Sequence, residues 1–526
     1  MLGTGKKRSL NGREQANRHT CKTLLNCYAR EFCNEHTSSF SMSPHDLAYA
    51  FYFPASDVIL SGKLSYYSAI GEHEYESYLV NNGREPEYAD VAQWIVKELR
   101  QHQLLITDKR AIDFSTKVAN SYRNLALYLE HSVDVRAQDY LSSEQSLLYG
   151  HPFHPFPKNT LGFTEDEARK FGPELRASFP LCYLAVRKDV YREEWVPGRQ
   201  RMELHESVME HAQLMLQEQR DGYEVLPMHP WQYEHVQSIE AVKEYIQEGK
   251  IILLGSCGPL SYPTSSVRTV YIPAMRCNIK LPLNIQITNM TRNNNREQMR
   301  RTLDAAGYLV QRNCFAEEPG TRIAYEEGVC ACYFEEDDIT KLFAVAYRPI
   351  EFDETSTYVL SSLVEAPTGG EPSRLFSLMD HRDADQWFRQ YLAISLLPIV
   401  HIAEEKGIHF EAHLQNSLLT IKNGMPHTFI IRDLEGVSVN RDKAGELVDT
   451  FGPLFYAQEE AWARTSYYFV VNHLGSLIHA LARDVQVGEE HFWAIVRDVL
   501  LQEAEESGNE YVLHLLTANV FYAKKI

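Results

Sequence analysis

The sequence has no run of about 18 apolar residues, so no segment predicts a membrane-spanning helix. It also lacks a surplus of positive charge: 52 Lys and Arg stand against 71 Asp and Glu, a formal net charge of -19. That balance excludes nucleic acid and an anionic membrane as the bulk partner, and a small anionic ligand would need a locally basic pocket. Cysteine pairing is missing too. The nine cysteines, at 21, 27, 33, 182, 257, 277, 314, 330 and 332, are odd in number, and Cys330-Ala331-Cys332 is one residue short of a redox or zinc pair. They read as free thiols in a reducing compartment, and no apolar signal core follows the basic start Met1–Arg8, so the expected location is cytoplasmic. A phosphate-binding loop is absent as well, because Gly3-Thr4-Gly5-Lys6-Lys7 has neither its spacing nor a strand and helix around it. No internal repeat or low-complexity segment occurs.

What is present is a chain of 526 residues, 44% hydrophobic, longer than one core usually supports, so about two or three lobes are expected. Residues 1–149 carry helical spacing over 14–35, 87–102, 109–131 and 139–148, with strands between 46 and 75. No catalytic residue types gather there, and the region reads as a scaffold. The character changes at Gly150-His151-Pro152-Phe153-His154-Pro155-Phe156-Pro157-Lys158. Prolines hold this loop extended, so His151, His154 and Lys158 project from a stiff support suited to placing cations against phosphate. The His-x-x-His pair lacks a companion ligand at zinc spacing.

Between Pro263 and Arg292 alternation predicts strands, the second running over 280–288. Leu281, Leu283, Ile285 and Ile287 share one face, while Lys280, Asn284, Gln286 and Thr288 form a polar row suited to a ligand pocket, and Pro282 marks an edge or bulge. Arg268 and Arg292 at the two ends would supply basic character for a polyanion. Ala366–Pro372 is the strongest linker signal, and the division expected is 1–149, 150–368 and 369–526, the last mostly helical. A long helix over 385–405 then leads into His409-Phe410-Glu411-Ala412-His413-Leu414-Gln415-Asn416, followed by a hairpin turning near Asn423-Gly424 and by Asp433-Leu434-Glu435-Gly436. Asn416 and Asp433 would meet at one end of that hairpin. Hard oxygen donors so grouped suit Mg²⁺ and the phosphates of ATP.

Taken in order, His151-Pro-x-His154-Pro-x-x-Lys158, Ser266-x-Arg268-Thr269, Lys280 with Thr288-x-x-x-Arg292, His413-x-x-Asn416 and Asp433-x-Glu435-Gly436 resemble the motifs of the siderophore synthetases that act independently of nonribosomal peptide synthetases, the aerobactin-synthetase-like family. The resemblance implies an α+β, three-lobed cupped hand: thumb over 1–149, β-rich fingers over 150–368 and helical palm over 369–526. It implies that ATP adenylates a carboxylate of citrate or a citrate derivative, and that an amine or amino alcohol then displaces AMP. By the same resemblance Ser266, Arg268, Thr269 and Lys280 hold the ATP phosphates, the loop from His151 through His154 to Lys158 closes over the nucleotide, and Gln415 assists. Glu411, Asn416 and Asp433 bind Mg²⁺, Thr288, Arg292 and His413 grip the carboxylate, and Arg268, Lys280, Arg292 and His413 carry the chemistry. Family members are often dimers, which leaves a homodimer open without fixing the oligomeric state, and no nucleic acid or membrane partner is expected. The segment after Lys158 departs from the family in Asn159, Thr160 and Leu161, which leaves the particular acid open. Two other readings stand beside it. His409, Glu411, Asn416 and Asp433 lie near the spacing of a kinase catalytic loop, although no glycine-rich nucleotide loop accompanies them, and the fold could serve as a noncatalytic scaffold.

Overall fold

The computed structural model describes residues 10–33, 40–81, 83–102, 106–131, 136–367, 371–445 and 454–518. Three apolar cores organise them. In the first, Leu24, Leu25, Tyr28 and Phe32 of the helix Gly12–Tyr28 and the turn after it pack on Phe51, Phe53 and Leu60 of an antiparallel sheet built from Phe40–Ser43, Ala48–Phe53 and Val58–Tyr66. The helix starts with a reciprocal capping box between Asn11 and Glu14, which satisfies two otherwise orphaned backbone donors. The start Met1–Arg8 and residues 368–370 of the predicted linker lie outside the described residues.

The second core lies against an eight-stranded antiparallel sheet in the order Tyr191–Trp195, Gly328–Cys332, Val345–Pro349, Cys277–Lys280, Thr269–Ile272, Ile251–Pro263, Phe179–Arg187 and Tyr223–Met228. Its register sets Thr269 directly opposite Lys280, so two side chains distant in function-bearing motifs start from adjacent strands. The single strand expected over 280–288 is two strands in two sheets. Pro282 has no N–H to offer a ladder. Cys277–Lys280 therefore ends before it, and Leu283–Ile287 begins after it and pairs with Met290–Arg292 and Thr160–Leu161. The alternation itself holds, with Leu283, Ile285 and Ile287 buried and Asn284 and Gln286 half-buried. The side-chain amide of Asn284 bonds to His235 and Asn293, its backbone N–H donates to Gln232, Gln286 donates to the Asn289 carbonyl, and neither residue lines the cavity described below.

The third and largest core joins Trp387, Phe388 and Tyr391 to Phe429, Ile431, Leu477 and Phe492. The helix predicted over 385–405 is broken at Ser395, whose backbone leaves the helical region, into Ala384–Ile394 and Leu396–Lys406. The hairpin Ser417–Lys422 with Met425–Ile431 turns at Asn423 and Gly424, both at positive φ (51° and 77°), the geometry of a type I′ turn that matches strand twist. It sits inside a four-stranded sheet with Thr321–Ile323 and Thr357–Val359, so strands from both sides of residue 368 share one ladder. Among the described residues all nine cysteines are free, and no helix is long and apolar enough to cross a membrane.

Phe429 is fully buried against Tyr391, Phe469 and His473. Phe429→Ala is expected to lower the unfolding free energy by about 3–5 kcal/mol, read as a lower denaturant midpoint at unchanged slope. An unchanged midpoint would show that this hairpin does not anchor the core.

Candidate active site

A cavity of about 2040 Å³ opens between the three cores. That is more than the roughly 300–1,000 Å³ of a pocket for one small ligand. It has room for two substrates side by side.

One wall is the turn between the strands Ile251–Pro263 and Thr269–Ile272. Thr264 N donates to the Thr269 carbonyl (2.9 Å), Val267 N donates to the Thr264 carbonyl (2.8 Å), and Ser266 Oγ accepts from Thr269 N (3.2 Å). Val267 is held at φ 65° and, nearby, Thr288 at 53°. A β-branched residue in that region is strained, and such strain persists where surrounding structure enforces it, most often at functional sites. Arg268 is buried and donates to Asn294 Oδ1 and to the Arg292 carbonyl (3.5 Å). Arg292 donates to Thr288 Oγ1 (3.1 Å). Burial, with Arg268 close by, pulls the Arg292 guanidinium down to about 10, and burial lowers Arg268 as well. Two cations so crowded favour an anion between them.

The facing wall is the hairpin and the segment before it. Lys280 Nζ reaches across to Asp433 Oδ1 (2.8 Å) and Glu435 Oε2 (3.2 Å). The lysine side chain is 5% exposed, whereas Asp433 keeps 35% open to the cavity. Burial works against the Asp433 carboxylate, but the charge and hydrogen bond of Lys280, helped by Arg348 and Arg268, hold its carboxyl well below the usual range. Asp433 itself sits at φ 65°. Glu411 pairs with Arg464, and burial followed by the nearby Asp433 charge raises its carboxyl despite that pair. A Cβ at Gly436 would stand 2.6 Å from Glu411 Cδ, which is why the fourth residue of Asp-x-Glu-Gly has no side chain. Asn416 N donates to His413 Nδ1 (3.4 Å) and Asn416 Nδ2 to the Glu411 carbonyl (3.2 Å), while the backbone N–H of Arg432 donates to the Asn416 carbonyl (2.9 Å). Asn416 and Asp433 therefore stand at one end of the hairpin.

Of the residues singled out from sequence, the cavity lining brings together His151, Lys158, Ser266, Arg268, Thr269, Lys280, Thr288, Arg292, Glu411, His413, Gln415, Asn416 and Asp433. His154 does not line it; its ring packs on Phe156 and accepts from the Phe156 backbone N–H (3.2 Å). The loop does not present three free cations. Burial lowers His151 and His154 to about 3, so both are neutral at pH 7, and Lys158 Nζ is held by Glu174 Oε1 (2.7 Å) and the Leu147 carbonyl. His413, 6.5 Å from His151 between ring centres, is lowered to about 4, again chiefly by burial.

Among the described residues no three His, Cys, Asp or Glu side chains converge on a metal position. Glu411 is turned to Arg464, and Asp433 and Glu435 to Lys280. The donor chemistry nevertheless fits Mg²⁺, which keeps several waters and takes one or two carboxylates together with substrate phosphates.

Sequence reasoning missed six contributors. Glu144 forms a buried ion pair with Arg432, which lines the cavity, and Arg348 pairs with Glu326, which also accepts from Leu434 N (3.0 Å). Tyr468 and Asn472 line the cavity from a π-helix, Ser466–Leu474. Such helices are rare and concentrate at functional sites, but nothing in the residue pattern announces one.

This geometry has counterparts. The IucA / IucC family model matches residues 139–352. The L-2,3-diaminopropanoate–citrate ligase of Staphylococcus aureus is 33% identical over 481 residues, 86% of this chain and 82% of that protein. The chain belongs to the IucA/IucC family of siderophore synthetases. It is a ligase of siderophore biosynthesis. The spermidine-citrate ligase of Bacillus anthracis is 24% identical, over 91% of this chain and 88% of that one. The structure of ATP-bound aerobactin synthetase IucA from a hypervirulent pathotype of Klebsiella pneumoniae superposes with a TM-score of 0.86 at 25% identity, over 97% of this chain and 95% of that one, and has the same mixed, three-lobed fold. A ferric iron reductase FhuF-like transporter model also matches residues 385–524 of this synthetase, a segment without cysteine.

The buried histidines make stability depend on pH. His151, His154, His409, His413 and His473 have folded values of about 3 to 4 against 6.5 when exposed. Between those values the unfolded chain binds more protons, so stability is present above 6.5 and is lost as pH falls towards about 4. The denaturant midpoint is expected to drop from pH 7 to pH 5, less steeply in His413→Asn. A flat profile in the wild-type protein would contradict the burial of these rings.

Proposed function

We propose that this synthetase uses ATP to adenylate a carboxylate of citrate, or of a citrate derivative, and joins it to an amine or amino alcohol with release of AMP and pyrophosphate, in the cytoplasm. The observation that carries this reading is the opposition, across one cavity, of Arg268, Lys280 and Arg292 to the carboxylates Asp433 and Glu435 on the hairpin end. Citrate ligases and an ATP-bound synthetase among the relatives support it.

The chemistry follows from charge. An anionic carboxylate must approach a polyanionic phosphate, and fixed cations offset the repulsion. Arg268, Ser266 and the backbone of the turn would cradle the phosphates, with Lys280 directed at the phosphorus under attack. Arg292 and Thr288 would hold the attacking carboxylate beside it, so that positioning supplies much of the remaining acceleration. Asp433 and Asn416, with Glu411, would hold Mg²⁺, whose contribution when bound is to neutralise charge on the phosphate oxygens. In the second half the amine nitrogen would attack the activated carbonyl, the carbon–oxygen bond to AMP would break with AMP leaving, and the amine would give up its proton to solvent in the open cavity. His413, neutral at pH 7 and with Nδ1 accepting from Asn416 N, would carry its proton on Nε2 and donate from there to an oxygen of the carboxylate substrate.

The reading is tested by product analysis with citrate and with 2,3-diaminopropanoate or spermidine as nucleophile. AMP and pyrophosphate are expected in equal amounts, and Lys280→Met and Arg292→Met are each expected to lower the rate on the order of 10²-fold. Formation of ADP alone would select the kinase-like alternative and sink this one.

A further inference from the structure

Glu144 closes the five-residue helix Tyr140–Glu144 and is completely buried. Its two oxygens go to opposite walls of the cleft. Oε2 accepts from the backbone N–H of Ser265 (3.1 Å) and from Ser265 Oγ (2.8 Å), in the turn that carries Ser266 and Arg268. Oε1 accepts from Nη1 of Arg432, the residue before Asp433. On the hairpin side Arg432 gives Nε and Nη2 to the Gln415 carbonyl (3.0 and 2.8 Å), and its Nη1 also donates to Tyr140 Oη (3.4 Å) at the start of the same short helix. The helix itself is pinned at both ends: Tyr140 N donates to the Glu354 carbonyl (2.8 Å), and Ser143 Oγ accepts from Val359 N (3.0 Å).

A carboxylate with no exposure is costly to bury unless its lone pairs are used, and here donors from two separate lobes use them. Burial works against its charge, but Arg432, through charge and hydrogen bond, and Ser265 outweigh it and keep the carboxyl below its ordinary value. Nothing else among the described residues joins Ser265 and Arg432 through a single side chain. Glu144 lies behind the cavity wall, which Arg432 and Ser265 line in front of it.

We infer that Glu144 is a positioning residue that fixes the spacing between the turn Thr264–Arg268 and the hairpin end Gln415–Asp433. The inference depends on the adenylation reading only for the identity of what the two walls hold. Bringing a carboxylate to a phosphate needs both walls in one register, and a displacement of about 1 Å is enough to cost on the order of 10²-fold in rate.

The test compares Glu144→Asp and Glu144→Gln in the full chain. Aspartate keeps the charge but is one methylene too short to serve both walls, and glutamine keeps the reach but loses the charge-assisted bond. Three quantities are read: ATP affinity by calorimetry without carboxylate, kcat and KM for pyrophosphate release, and melting temperature. Both variants are expected to lose kcat on the order of 10²-fold at temperatures where they remain folded, with KM for citrate changed much less. Glu144→Asp is also expected to weaken ATP binding, because Ser265 loses its support. Wild-type kcat in Glu144→Asp, or a loss that only follows the unfolded fraction, would overturn the assignment. If neither variant folds, Ser265→Ala removes one arm with Arg432 still paired. An ATP dissociation constant raised roughly threefold or more then supports the role, and an unchanged one refutes it. Should the wild-type protein release no pyrophosphate, the adenylation reading fails separately, while the ATP affinity of Glu144→Asp still decides the role of Glu144.

Discussion

The ammonium of Lys280 sits on the last residue of a strand in the large sheet and ends between two carboxylates of the hairpin turn, Asp433 and Glu435. Much of the cleft depends on that contact. It draws two separately packed cores to a common edge, keeps Asp433 ionised, and leaves a cavity between them large enough for two ligands. A buried lysine beside a single acid would be a neutral arrangement at best. Two acids leave negative charge over, and Arg268 and Arg292 near them leave positive charge over as well. The site is charge-rich without being charge-paired to completion, which is what a site for phosphate, carboxylate and a divalent ion requires.

The backbone bears the same signature. Val267, Thr288 and Asp433 are each held at positive φ, and each lies beside a side chain named from sequence. Holding two β-branched residues there costs on the order of 1–3 kcal/mol apiece, which the packed cores on either side must offset. The π-helix over Ser466–Leu474 adds a third irregularity on the palm side, turning Tyr468 and Asn472 towards the cavity while Phe469 and Leu474 stay in the core. Such departures from regular geometry leave little trace in residue type, since Val, Thr and Tyr are ordinary strand and helix residues elsewhere in this chain.

What was legible follows that division. The hairpin end was readable because Asn423-Gly424 demands a particular turn and the flanking alternation fixes its register, so Asn416 and Asp433 had to come together. Lys280 and Thr269 were readable as motif members, though not as cross-strand neighbours. The Asn284 and Gln286 row was misleading: alternation reports which residues face away from the core, and here that face meets His235, Asn293 and the Asn289 carbonyl instead of a ligand. The prolines of the 150–157 loop exclude a helix there, but the backbone is not extended as expected: it folds into turns, with His154 N donating to the His151 carbonyl (3.3 Å) and Asn159 N to the Phe156 carbonyl (3.2 Å), and its burial keeps His151 neutral. Glu144 was invisible for a related reason. An acid at the end of a short helix, in a stretch without catalytic residue types, acquires its meaning only from Ser265 and Arg432, more than a hundred residues away in sequence.

The central claim is that the carboxylate oxygen attacks the α-phosphorus of ATP between Arg292 and Lys280. The most direct measurement is the fate of that oxygen. With citrate labelled in its carboxylates with ¹⁸O, turnover in the presence of an amine is predicted to place one label in the phosphate of AMP, because the bond broken in the second step is the one from carbonyl carbon to the transferred oxygen. Label appearing in inorganic phosphate, with AMP unlabelled, would contradict the account.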